Sequence, residues 1–127
     1  MPRTVPHPLR VRRVYDPPHP EDGTRVLVDR LWPRGLATTD AYIDEWPKSL
    51  TPSTGLRRWF HGSDTEDAAA FAEFRHRYEA ELAAPEAAAA LDGLRRLTRA
   101  GPVTLLTASR TPDRSHASVL RDLLEGH

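Results

Sequence analysis

Val26-Leu27-Val28-Asp29-Arg30-Leu31-Trp32-Pro33-Arg34-Gly35 changes character at Asp29. Its first three residues are consecutively apolar, the mark of a strand covered on both faces, because a half-exposed strand would alternate. Beyond Asp29, Pro33 cannot donate to a sheet ladder and Gly35 favours a turn, so the strand ends and a loop begins. Val103-Thr104-Leu105-Leu106 repeats the pattern, apolar apart from Thr104. Val11, Val14 and Tyr15 mark a further short strand, followed by a stiff, turn-rich connection from Asp16 to Gly23. Helical spacing fills the remainder. Thr38 or Thr39 caps a short segment, and Thr51-Pro52-Ser53 starts a helix carrying Leu56, Trp59 and Phe60 that Gly62 can end. Ser63 or Asp64 caps the next, with Glu66 and Asp67 in its first turn and Phe71, Phe74, Tyr78 and Leu82 on its inner face. Pro85 opens another through Leu91, Leu94 and Leu97 to Gly101, and Thr111-Pro112 starts the last, through Leu120, Leu123 and Leu124 to Gly126. Strands interleaved with helices predict a single three-layer α/β domain whose mostly parallel sheet is flanked by helices.

The chain has 127 residues, enough for one core and too few for two. Residues 1–9, with three prolines, are expected to form a loose tail and residues 10–127 one domain. Lys+Arg and Asp+Glu both number 18, so no net charge pulls the protein onto nucleic acid or an anionic membrane. There is no cysteine, and Met1 is the only methionine. Thiol nucleophiles, thiolate metal sites, disulfides and Cys or Met haem ligation are thereby excluded. Seventeen of the 18 basic residues are arginine, a skew that G+C-rich codon supply produces, so arginine position carries more information than arginine number. No secretory leader and no run of about 18 apolar residues is present, and the expected location is the cytoplasm.

In open α/β sheets, ligands collect outside the carboxyl ends of the strands. Two segments leave a strand there and become polar. Asp29 to Gly35 offers Arg30 and Arg34 around Trp32; guanidinium groups bind phosphate or carboxylate, and an indole stacks on a flat ligand. The plainer reading is an Asp29–Arg ion pair with Trp32 as core filler. Ser109 to His116 runs from strand into helix and carries Arg110. His116 shares the inward stripe of Leu120 and Leu123, where an imidazole can serve as acid, base or ligand. The alternative is a structural histidine bonded to a backbone carbonyl. In Arg57-Arg58-Trp59-Phe60-His61, the aromatic pair reads as core, whereas His61 either joins a site or simply ends a helix. Asp40, Asp44 and Glu45 read as a solvated face, and no His or carboxylate pair has metal-ligand spacing.

Val11-Arg12-Arg13-Val14-Tyr15-Asp16-Pro17-Pro18 and Glu21 to Gly35, above all Asp29-Arg30-Leu31-Trp32-Pro33-Arg34-Gly35, resemble the YeaO-like family, a bacterial domain of unknown function (family 488). The likeness continues through Ile43-Asp44-Glu45-Trp46, Trp59-Phe60-His61, Phe71, Phe74, Tyr78, Glu81 and Leu82. It ends with Gly101 to Leu106 and His116-Ala117. It spans Leu9 to Leu124 and implies a small single-domain α/β protein without assigning a reaction. The chain departs from the family pattern at Thr107, Thr111 and Ser115, where relatives usually carry an aromatic, an Asp and an Asn. It therefore lacks one carboxylate that would orient the imidazole, leaving Ser115 or Asp113 as substitutes.

The leading expectation is an Arg/Trp/His pocket for an anionic or planar small molecule. Arg30, Arg34 and Arg110 would take the charge, Trp32 would stack, His61 would line the pocket, and His116 would be the proton-transfer group. A second reading is nucleic-acid contact by residues 1–35, which hold seven arginines against four acids. A third is haem or metal binding through His116, His61 or Tyr15.

Overall fold

The structure, a computed structural model, describes residues 9–63 and 67–125. The expected tail and the expected helix stop at Gly126 lie outside the described residues, except that Leu9 opens the first strand. Strands β1 (Leu9–Arg13), β2 (Thr24–Leu27) and β3 (Val103–Thr107) form one sheet in the order β1-β3-β2, with both pairings parallel. Val11 and Val26 both face Leu105, so β3 is the centre, and every one of its residues is buried. Helices α1 (Thr38–Ala41), α2 (Thr54–Gly62), α3 (Ala68–Leu82) and α4 (Pro85–Ala100) lie between β2 and β3 in sequence, and α5 (His116–Leu124) follows. The chain is thus a single α/β domain.

Consecutive apolar residues in β2 and β3 supply two cores. Val26, Val28, Val103 and Leu105 pack on one face with Leu56, Phe60, Phe74, Tyr78, Leu91 and Leu120 from α2 to α5. Leu27 and Leu106 point to the other face with Val14, where Trp32, Leu36, Ile43 and Trp46 cover them. This second cover is the connection from β2 through the short α1, rather than a layer of long helices. Two indoles supply enough apolar area to seal a three-stranded sheet without a regular element.

The second face also holds a buried charge cluster. Asp22, only 1% exposed, accepts from Arg12 at 3.0 Å, from the His19 N–H at 2.9 Å, and from Arg25, itself 5% exposed. Burial pushes the Asp22 carboxyl up, but these donors outweigh it and hold the group below the usual carboxylate range. Gly23 follows at φ 65°, and a Cβ there would lie 2.1 Å from the Pro102 carbonyl oxygen, so only glycine lets the turn close onto β3.

Helix starts differ from the sequence expectation at three places. Asp67, not Ser63 or Asp64, caps α3, since its side chain accepts from the Ala69 N–H; Ser63 instead closes α2, and residues 64–66 lie outside the described ones. The last helix begins at His116, not at Thr111-Pro112. Ser115 and Ser118 form a reciprocal cap there, and Pro112 sits in a short 3-10 turn. Thr38 is the first residue of α1, whose cap position is Ala37. Asp44 is tied to the sheet edge, accepting the Arg25 backbone N–H at 2.8 Å, and is less free than a solvated face implies.

Candidate functional site

Because all three strands are parallel, their carboxyl ends emerge on one side, and the chain turns polar at each. Pro33 and Gly35 (φ 79°) fold the loop after β2 back on itself, while Ala108 to Ser115 links β3 to α5. Between them and the end of α2 lies a cavity of about 580 Å³. The six residues singled out from sequence, Arg30, Trp32, Arg34, His61, Arg110 and His116, all line it.

The cavity is organised around Asp29. Its carboxylate accepts from the Thr107 hydroxyl at 2.8 Å, the Ala108 N–H at 2.7 Å and His116 Nε2 at 2.9 Å. Burial raises the Asp29 carboxyl, but the hydrogen bond and positive charge of His116, with the other two donors, outweigh it and hold it below its ordinary range. His116 Nε2 also lies 3.0 Å from the Val28 carbonyl oxygen. Both neighbours are acceptors, so Nε2 carries the proton and Nδ1 is the ring's basic atom. The carbonyl bond foreseen as the structural alternative for His116 is therefore present together with a carboxylate contact that the sequence did not reveal. Ser115 and Asp113 do not substitute as its partner. Ser115 caps α5, and Asp113 lies 3.5 Å from Arg121. The Asp29–Arg ion pair is also not formed, since Asp29 spends its oxygens on His116 and β3.

Arg30 and Arg34 are exposed at the mouth, and neither they nor Arg110 make an ion pair among the described residues. Trp32 packs as core filler and is also placed on the cavity wall. Its indole N–H donates to the Leu36 carbonyl at 2.7 Å and its ring meets Trp46 edge-on at 5.6 Å, yet it also lines the cavity. Phe60 is core, stacked on Phe74 at 4.5 Å, while Trp59 is half-buried under the Arg77 guanidinium. The two loops are braced from β1. Arg13 donates to the Ser109 and Ala108 carbonyls at 3.1 and 3.3 Å, and Tyr15 donates to the Arg34 carbonyl at 2.8 Å. Asp29 and Arg57, both within segments that the sequence singles out, carry no site role there. Asp29 was marked only by its position one residue past an apolar strand run, and Arg57 by sharing a helix face with Phe60 and His61.

The arginines of the first strands are differently placed. Arg10 pairs with Glu21, Arg12 with Asp22, and Arg25 with Asp22 and the Tyr42 carbonyl. Among the described residues, no three His, Asp or Glu side chains gather as a metal-binding group, and no helix is long and apolar enough to cross a membrane.

Fold and crevice together define the class: a small parallel α/β domain with an arginine-lined pocket at the carboxyl ends of its strands. The family described as "Inactive DUF488-N3 subclade" matches residues 8–127. "Uncharacterized protein YeaO" of Escherichia coli (strain K12) is 45% identical over 116 residues, covering 91% of this chain and 96% of that protein. "Uncharacterized protein Mb3100c" of Mycobacterium bovis is 46% identical over 118 residues, covering 93% and 94%. The chain belongs to this YeaO-like DUF488 family. No solved structure matches it significantly.

Proposed function

We propose that the protein binds a small anionic molecule, bearing phosphate or carboxylate, in the cavity between the Asp29–Gly35 loop and the Ala108–His116 segment. The observation that carries this reading is the set of cavity arginines that make no ion pair among the described residues, Arg30, Arg34 and Arg110, beside one carboxylate already committed to His116. Guanidinium groups left without a carboxylate around a concave site are what phosphate and carboxylate ligands require. The N-terminus of α5 opens on the same cavity and adds a favourable field for an anion. The family description, which includes the word "inactive", agrees with binding without turnover.

The test is thermal denaturation of the wild type and Arg34→Gln in inorganic phosphate against equal ionic strength of sodium chloride. Phosphate at about 100 times its Kd adds about 2.7 kcal/mol, or about 10 °C for a domain of this size. The shift is expected to shrink in Arg34→Gln. A wild-type melting temperature indifferent to phosphate contradicts the reading.

A second reading, proton transfer by His116, is favoured by its contact with Asp29, an arrangement that fixes the imidazole tautomer. It calls for turnover of a phosphate or carboxylate ester that His116→Asn abolishes while ligand binding persists. Binding with no turnover in either protein removes it.

A further inference from the structure

We infer that Arg57 is a ligand-binding residue, and that the pocket takes a dianionic organic molecule with an apolar, planar body, of the aryl phosphate kind; this rests on the anion-binding reading above. Arg57, Phe60 and His61 stand at i, i+3 and i+4 on α2, so they share one helix face, and all three line the cavity. The Arg57 Nε is buried without a hydrogen-bond partner, alone among the described side chains. An N–H removed from water and given no acceptor is destabilising, so its retention in the part-buried Arg57 calls for a purpose. Among the described residues, nothing inside the cavity answers it: Asp29 is the one acidic residue in the lining, and its oxygens already accept from Thr107, Ala108 and His116.

Charge and shape then narrow the ligand. Guanidinium groups with no ion pair among the described residues stand on three separate walls: Arg57 on α2, Arg30 and Arg34 on the loop after β2, and Arg110 on the loop after β3. One guanidinium suffices for a single carboxylate, whereas a phosphate monoester carries enough charge and oxygens to be held by two or more. Between the walls lie Tyr15, Leu31 and Trp32, whose accessible apolar surface a bare inorganic ion would leave unmatched. The volume, about 580 Å³, falls among small-molecule sites and far exceeds the room one ion occupies. Arg57 holds the charge, and the aromatic body lies against the Trp32 indole.

Calorimetric titration of phenyl phosphate and inorganic phosphate into wild type, Arg57→Met, Arg57→Lys and Arg34→Gln tests this. Wild type is expected to bind phenyl phosphate at least ~10-fold tighter than inorganic phosphate, and Arg57→Met to lose ~10-fold or more, about 1.4 kcal/mol. Ligand-free Arg57→Met is expected to melt at or above the wild-type temperature, because a buried unmet donor is gone. Arg57→Lys keeps a charge but not the planar fork, and is expected to lose ~3-fold or more even if Arg57→Met fails to fold. Unchanged phenyl phosphate affinity in either Arg57 variant, with Arg34→Gln weakened, overturns the role of Arg57 and leaves the anion pocket standing. Equal wild-type affinity for the two probes overturns the apolar body. No binding of either probe by wild type removes the pocket reading itself.

Discussion

Two sets of arginines divide this small molecule. Arg10, Arg12, Arg13 and Arg25, on or beside the first two strands, are spent internally: on Glu21, on Asp22, on the Ala108 and Ser109 carbonyls, and on Asp22 and Tyr42. Arg30, Arg34, Arg57 and Arg110 surround the cavity and make no ion pair among the described residues. The same side chain thus does two jobs, separated by whether a carboxylate or carbonyl was placed within reach. The first set bolts β1 and β2 to the turns that cover them. The second leaves positive charge concentrated at one end of the sheet in a chain whose formal net charge is zero. The described arginines of residues 9–35 are therefore divided between internal partners and the cavity rather than gathered in one continuous basic surface.

The comparison is broken most forcefully on the structural side. Asp22→Ala removes the buried carboxylate that pairs with Arg12 and with the buried Arg25, and urea denaturation is expected to show a loss of about 3–5 kcal/mol. Asp29→Ala comes next, since it leaves the Ala108 N–H and the Thr107 hydroxyl unmet, with an expected loss of about 1–3 kcal/mol. Both carboxyls titrate below their unfolded value of about 3.9. Their contribution is therefore complete above that pH and is lost as pH falls through the lower folded values. Acid unfolding is expected to begin below about pH 4, and to be flatter with pH in Asp22→Asn. On the cavity side the signs reverse. Arg34→Gln is expected to leave stability within about 0.5 kcal/mol while weakening phosphate binding ~10-fold, about 1.4 kcal/mol. The smallest effect belongs to Arg10→Gln, an exposed pair, which should change neither the melting temperature nor phosphate affinity.

Much of the candidate site is legible in the sequence. Unbroken apolar runs at Val26–Val28 and Val103–Leu106 mark covered parallel strands, and parallel strands deliver their polar carboxyl-end loops to one place. That rule alone gathers Arg30, Arg34 and Arg110, and the spacing from His116 to Leu120 puts the imidazole on the inward stripe. The Asp29–His116 contact was not legible, because 87 residues separate the partners and only tertiary packing sets their distance. Arg57 lies on a readable helix face, but whether an arginine finds a partner depends on neighbours from other elements. The covering of the second sheet face was hidden for another reason. Trp32 and Trp46 do it from irregular chain that has no period to detect.

Arginine side-chain NMR gives the most direct comparison of the two sets. The Nε–Hε signals of wild type would be assigned by substitution and followed as phosphate, then phenyl phosphate, is added at constant ionic strength. The signals of Arg34 and Arg57 are expected to move with saturation while those of Arg12 and Arg25 stay fixed. Movement of Arg12 and Arg25 with Arg34 and Arg57 unmoved, or no movement at all, would contradict the assignment of the cavity arginines to an anionic ligand.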